Sequence, residues 1–265
     1  MQYLSIDIIN RGYFHASVAH NGSKRHQTLE SHKWGSSLDE EDRLSHRLDR
    51  ILERMHICRS VEDIDLVDKD IVNVCGGSGI EAEILLKQDA KSVVLCDIAQ
   101  NQLRVARMRA QRAHLNGLEC VKGDAENLPF CDGTFNFSYI HMALHHLPDN
   151  AKGITELCRV SDEVVIIDIM NALLTRLLNV LGLFTEEWCG ITPNRMNGKT
   201  VVDLLEGAGM KPTITYFFEP PIYTSNRYII RSYLLAYKAI NSFVNRSKLL
   251  GLFFGNIAII SGLKQ

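Results

Sequence analysis

No two cysteines of this chain stand in C-x-x-C spacing, which removes the commonest zinc and dithiol motifs. Its seven cysteines (Cys58, Cys75, Cys96, Cys120, Cys131, Cys158 and Cys189) are odd in number and scattered. Several lie in apolar, strand-like runs, which predicts reduced, mostly buried thiols and a cytoplasmic location. Charge of one sign is also lacking. Twenty-nine lysines and arginines face 31 acids for a net charge of −2, so there is no electrostatic footprint for nucleic acid. No apolar run reaches the roughly 18 residues that a membrane span requires. The longest, Ala172–Phe184 and Leu249–Ile260, are broken by Arg176, Asn179 and Asn256, so stable membrane insertion is not expected. The opening MQYLSIDIIN has neither a basic start nor a long apolar stretch, and predicts no secretory leader. Repeats and low-complexity tracts are absent as well. The histidines at 15, 20, 26 and 32 have no ligand-like pairing, so no metal site is expected.

What is present is an ordinary globular composition, 46% hydrophobic and 23% charged, over 265 residues. That length suits one generous domain with a cap. Tyr3–Asn10 and Tyr13–His20 alternate around Asn10-Arg11-Gly12 as a hairpin would, and the polar stretch 21–37 reads as a loop. An amphipathic helix follows, with Leu44, Leu48, Ile51, Leu52 and Met55 on one face and Asp39 to Asp42 in its first turn. From about residue 70, strand-like runs (Ile71–Cys75, Ser92–Cys96, Glu119–Lys122, Phe135–Ile140, Val164–Ile169) alternate with helical ones (Ile80–Gln88, Gln100–Leu115, Ala151–Val160, Lys199–Gly207). Such alternation means βαβ units and a parallel sheet. Lys211–Phe218 and Gly255–Gly262 read as two further strands, separated by a long connection with a helix over Arg227–Ala239.

The turn after the first sheet strand, Cys75-Gly76-Gly77-Ser78-Gly79-Ile80-Glu81-Ala82, contains a G-x-G-x-x-A pattern, and Asp97 closes the next strand. Together they imply a cofactor containing adenosine, with the acid on the ribose hydroxyls. A nicotinamide-dependent oxidoreductase fits these residues as well as any other adenosine-cofactor enzyme. Residues 123–149, GDAENLPFCDGTFNFSYIHMALHHLPD, are more specific. Gly123-Asp124-Ala125, Leu128-Pro129-Phe130, Asp132-Gly133, Phe135 and Ala143 to Leu147 stand in an order and spacing that resemble the class I S-adenosylmethionine-dependent methyltransferases. The resemblance is to the subgroup that includes quinone-biosynthesis methyltransferases. It continues through Ile154–Val160 and through Leu204-Leu205 with Ala208-Gly209, and covers roughly 70–218. Departures are Asn73, where the family carries an acid, Cys75, where it has its first loop glycine, and a turn shortened to Ser161-Asp162-Glu163.

The resemblance implies a Rossmann-like α/β fold: a seven-stranded, mostly parallel sheet with an antiparallel last strand, helices on both faces, an N-terminal extension and helical caps. Residues 1–68 would be a cap or dimerisation element. Residues 69–265 would be the cofactor-binding domain, with inserts at 171–195 and 219–254. It also implies S-adenosylmethionine as cofactor and S-adenosylhomocysteine as product. Asn73, Cys75, Gly76, Gly77 and Gly79 would cradle the methionine moiety, and Asp97 and Ile98 would meet the ribose and adenine. Asp124 and Ala125 would meet the adenine edge, and His141 would lie near the sulfonium. His145 and His146 are the first candidate general bases, with His141 and Tyr139 behind them. The inserts are rich in large apolar residues, among them Leu173, Leu177, Tyr228, Ile229 and Leu235. These predict either a hydrophobic small-molecule pocket or packing and a homodimer interface. Arg104, Arg107, Arg109 and Arg112 read as a solvated helix face. Pro220-Pro221-Ile222-Tyr223 follows the wrong strand for a base-amino methylase motif. A protein methyltransferase and a non-catalytic cofactor-binding relative are the other readings.

Overall fold

The computed structural model describes residues 38, 45–181, 194–219 and 224–265. The expected hairpin, the loop 21–37, the acidic first turn with Leu44, the distal part of the first insert and residues 220–223 lie outside the described residues.

Helix α1 (Leu48–Ser60) precedes an alternating series: β1 (Asp70–Val74), α2 (Ile80–Lys87), β2 (Ser92–Asp97), α3 (Gln100–Arg112), β3 (Leu118–Lys122), β4 (Phe135–His141), a 3-10 turn (Leu144–His146), α4 (Asn150–Val160) and β5 (Ser161–Ile169). Then come α5 (Leu173–Val180), α6 (Gly198–Gly207), β6 (Met210–Phe217), α7 (Arg227–Val244), α8 (Lys248–Phe254) and β7 (Ile257–Lys264). The strands form one sheet in the order β3-β2-β1-β4-β5-β7-β6. β1 to β5 pair in parallel, and β7 inserts antiparallel between β5 and β6.

The central strands read as continuous apolar runs because helices cover both sheet faces. Successive residues divide between two cores. Val72, Val74, Val94 and Cys96 belong to one, and Ile71, Val93 and Leu95 to the other. That is the period of two expected of a strand. β1 is flanked by β2 on one side and β4 on the other, so the strand order reverses between β1 and β4. Ligands of open α/β sheets bind at the carboxyl ends of the strands at such a switch point.

Four expectations need correction. Met55 is exposed, and the buried side of α1 is Leu48, Leu52, His56 and Ile57; the polar His56 was invisible to an apolar pattern. Ser161-Asp162-Glu163 is no turn: α4 ends at Val160 and β5 starts at Ser161. The Ser161 hydroxyl donates to Leu157 O and ends the helix in extended backbone. The cysteines are less buried than expected, since of those described only Cys96 and Cys158 are buried. Finally, Arg109 is buried, whereas Arg104, Arg107 and Arg112 are exposed as anticipated.

Candidate functional site

The loop Cys75–Gly79 leaves β1 at the switch point. Cys75 has φ of 53°, a conformation that costs a non-glycine residue about 1–2 kcal/mol, and its N–H donates 2.7 Å to Cys96 O. Gly76 is dictated by close approach: a Cβ there would stand 2.2 Å from Asn73 Oδ1 and 2.8 Å from Leu95 Cγ. Gly79 combines φ of 81° with a Cβ position 2.9 Å from Ala106, and so brings α2 close to α3. Asn73 is wholly buried under this loop, and neither polar atom of its amide has a hydrogen-bond partner.

Asp97, at the carboxyl end of β2, is braced by the loops around it. Its Oδ2 accepts from Gly77 N–H at 2.9 Å and its Oδ1 from Ala99 N–H at 2.8 Å. Burial raises its pKa, against the pull of those backbone donors. Ile98 beside it is half-buried. Gly123 N–H donates to Asp97 O and ties the segment after β3 to the same edge. There Asp124 Oδ1 accepts from Glu126 N–H, and Ala125 is buried. Asn73, Cys75, Gly76, Gly77, Gly79, Asp97, Ile98, Asp124 and Ala125 therefore share the strand ends.

Sequence reasoning missed Arg109. Its Nε donates 2.9 Å to Ser78 O in the glycine loop, and its Nη1 pairs with Glu83 at 3.1 Å. Burial lowers its pKa to about 10. The signal was helical phase: Gln102, Leu103, Val105, Ala106, Arg109 and Ala110 are the buried face of α3.

The histidines separate into distinct environments. His141 is the last residue of β4, rather than just beyond it, and is buried. Its Nδ1 lies 2.9 Å from Glu81 Oε1, while its Nε2 has no hydrogen-bond partner. Burial lowers the pKa of His141, but the bond to and charge of Glu81 more than offset it, leaving a raised value. His145 is buried on the 3-10 turn. Its Nδ1 pairs with Asp168 Oδ1, and its backbone N–H donates 2.8 Å to Asp168 Oδ2. His146 is half-buried, its ring 4.0 Å from that of His145. Tyr139 lies in the core with its hydroxyl 3.0 Å from Ser60 Oγ.

Among the described residues, Glu53, Glu81 and His141 offer donor atoms within 4.8 Å of one another. Glu53 is already paired with Arg50 at 2.8 Å and Glu81 with His141, so internal pairing accounts for this cluster. A second group adjoins it. His56 Nε2 lies 2.9 Å from Tyr237 Oη and 3.2 Å from Glu219 Oε1. Burial, with the charge of His141, holds His56 down to about 3, and burial pushes Glu219 up to about 7. Because the folded value of Glu219 exceeds its ordinary 4.5, the folded state binds that proton more tightly. Its contribution to stability is full below pH 4.5 and is lost as pH rises through about 7. Thermal midpoints followed across that window should fall less for Glu219→Gln than for the unaltered protein. Parallel curves would contradict the assignment.

A cavity of about 580 Å³ opens between α1 and α7, lined by Ile51, Ile230, Leu234 and Leu235 with His46, Arg227 and Arg231. Of the apolar residues expected to form a pocket, Leu173, Leu177, Tyr228 and Ile229 instead face outward.

Comparison with known proteins agrees with this geometry. A family described as "Methyltransferase domain" matches residues 72–164. Demethylmenaquinone methyltransferase of Thermobifida fusca is 32% identical over 127 residues, 48% of this chain and 53% of that protein. Rice 2-methyl-6-phytyl-1,4-hydroquinone methyltransferase 1 is 36% identical over 91 residues, 34% of this chain and 27% of that protein. The chain thus spans about half of the first relative and about a quarter of the second. In fold it is similar to Synechocystis magnesium protoporphyrin IX methyltransferase with bound S-adenosylmethionine. That match has a TM-score of 0.60 and 12% identity, covering 93% of this chain and all of that one. It is likewise similar to YcgJ of Bacillus subtilis, with a TM-score of 0.60 and 17% identity, covering 80% and 99%. Residues 72–164 thus match a methyltransferase domain, in a chain similar in sequence to quinone-biosynthesis methyltransferases and in fold to S-adenosylmethionine-dependent methyltransferases.

Proposed function

We propose that this chain moves a methyl group from S-adenosylmethionine to an oxygen, nitrogen or carbon atom of a small, partly hydrophobic molecule and releases S-adenosylhomocysteine. The observation that carries this reading is the cradle at Cys75–Gly79. A Cβ at Gly76 would strike the buried Asn73 amide and Leu95 beneath the loop, so the backbone lies directly on that amide, whose polar atoms both lack partners, while a Cβ at Gly77 would meet nothing within 4 Å. A bare glycine backbone at the carboxyl ends of the strands, open above Gly77, fits the amino-acid end of the cofactor. Asp97 would hold the ribose hydroxyls, Ile98 the adenine face, and Asp124 with Ala125 the adenine edge. The relatives' names, methyltransferases of demethylmenaquinone and of a phytyl hydroquinone, support a partly hydrophobic acceptor.

When bound, the cofactor supplies the electrophilic methyl and its own leaving group, so the protein's task is alignment and exclusion of water. Orientation of this kind contributes roughly 7–11 kcal/mol at best. Where the acceptor must lose a proton, His141 is the best placed of the three candidate histidines. Glu81 orients its Nδ1 and raises its basicity, and Nε2 is left to receive the proton; such a base adds about 10²–10⁴-fold. His145 is committed to Asp168, and the His146 ring lies tilted against it. α1 and the two inserts would cap a domain over 69–265, acting in the cytoplasm.

The test is thermal stability with S-adenosylmethionine, S-adenosylhomocysteine, NAD and NADP, each titrated separately. A ligand at 100 times its Kd stabilises by about 2.7 kcal/mol. Shifts with the two S-adenosyl compounds alone are expected. A shift with a nicotinamide nucleotide alone would replace the reading by an oxidoreductase, and no shift at all by a non-catalytic relative. Transfer of labelled methyl to protein, and not to small aromatic acceptors, would move the substrate class to proteins.

A further inference from the structure

The most exposed large apolar side chains are not scattered over the molecule. Fourteen are described, and ten of them lie within 173–181 and 228–253, on or beside α5, α7 and α8. Leu235 is 76% exposed, Leu249 78% and Val180 85%. These helices are neighbours. α8 packs against α5 and against α7, and the Phe254 ring bridges Phe243 and Phe253 at centroid distances of 6.0 and 4.8 Å. Burying an outward row of this kind in its own core is not an option for the chain, because α7 already has an inner face. Val244 and Asn241 are buried there, and Tyr237 stacks on Phe217.

Charge on these segments is of one sign. The described residues 171–181 and 224–256 contain Arg176, Arg227, Arg231, Lys238, Arg246 and Lys248 and not one aspartate or glutamate, in a protein whose net charge is −2. Along the outer face of α7 the two properties interleave at helical spacing: Tyr228, Arg231, Leu235 and Lys238 are all exposed. Apolar side chains with basic residues between and beside them are the composition of a helix that lies in the interface of an anionic bilayer. No helix among the described residues is long and apolar enough to cross a membrane, so the contact is peripheral.

We propose that α5, α7 and α8 form a docking face for the surface of an anionic lipid bilayer. The apolar side chains enter the headgroup boundary and the cations pair with lipid phosphates. The cavity beside α1 shares Leu235, Arg227 and Arg231 with this face and would open toward the bilayer. A soluble self-associating protein would show the same apolar row, but two copies meeting through it would bring like charges together, which argues against a second copy as occupant.

The test is co-sedimentation of the full chain with vesicles of phosphatidylcholine alone and of phosphatidylcholine doped with phosphatidylglycerol, with size-exclusion light scattering in parallel. Preferential binding to the doped vesicles, weakened by salt, is expected. A cation near such a surface strengthens partition about fivefold, so Arg231→Ala with Lys238→Ala should weaken binding roughly 25-fold. Leu249→Ser with Phe253→Ser should weaken binding to both vesicle types; these residues are exposed, and an unchanged melting curve would certify the fold. Absence of binding to either vesicle, binding indifferent to both pairs of substitutions, or a dimer abolished by Leu249→Ser would each overturn the proposal. None of these outcomes depends on methyl transfer, so the docking face and the enzymatic reading can fail separately.

Discussion

Asp97→Ala should abolish most of the affinity for S-adenosylhomocysteine while leaving a folded protein. Titration calorimetry should give a Kd weaker by at least about 2 kcal/mol, roughly 30-fold, because hydrogen bonds to a charged acceptor are worth about 1.5–3 kcal/mol. Two effects combine. The ribose hydroxyls would lose the acceptor proposed for them, and Gly77 N–H loses the carboxylate that fixes the middle of the glycine loop at 2.9 Å. Asparagine should not rescue. Both carboxylate oxygens accept from backbone N–H groups, Gly77 on one side and Ala99 on the other. Either orientation of an amide therefore sets an NH2 against a donor. An Asp97→Asn protein that binds like the unaltered one would show that these backbone bonds do not shape the site. An Asp97→Ala protein within threefold of it would remove Asp97 from the cofactor's contacts altogether.

This half of the site was legible from the sequence for a physical reason. Glycine spacing, a strand ending in an acid, and the stretch from Gly123 to Leu147 are local signals, because each loop is built from residues adjacent in the chain. The alternation of strands and helices likewise named every sheet strand within about three residues at either end. What could not be read were pairings made by the sheet itself. Glu81 and His141 are 60 residues apart and His56 and Tyr237 are 181 apart, and they meet only because α1, α2 and α7 converge on the end of β4. Arg109 was legible in principle, since its place in the buried phase of α3 is fixed by Leu103 and Ala106. Three neighbouring arginines that do face water hid it. The outward-facing apolar rows of α5 and α7 illustrate the converse. Composition announced an apolar segment, and only the packing of Tyr233, Tyr237 and Asn241 on the inner side showed which residues were left outside.

Asp168→Ala is expected to destabilise the fold, not merely to slow a reaction. Asp168 is 1% exposed near the carboxyl end of β5. Its Oδ2 takes the His145 backbone N–H, its Oδ1 faces His145 Nδ1, and Oδ1 also takes the N–H of Ile169. His145 O in turn accepts from Asn194 N–H at 2.7 Å, so the pair ties β5, the 3-10 turn and the segment before α6 to one another. Deleting the carboxylate strands two buried donors on His145 in a site that water does not reach. Removing one partner of a buried pair costs about 3–5 kcal/mol. For a chain of this size that amounts to a fall of roughly 6–20 °C in the thermal midpoint, measurable by circular dichroism. His145→Asn distinguishes support from chemistry. The shorter amide can still offer an N–H toward Asp168 but cannot act as a base near neutral pH. If the pair is scaffold, this variant should recover most of the lost stability and keep the pH profile of methyl transfer. A variant that melts normally but loses activity together with the acid-side limb of its pH profile would instead make His145 the base and displace His141 from that role.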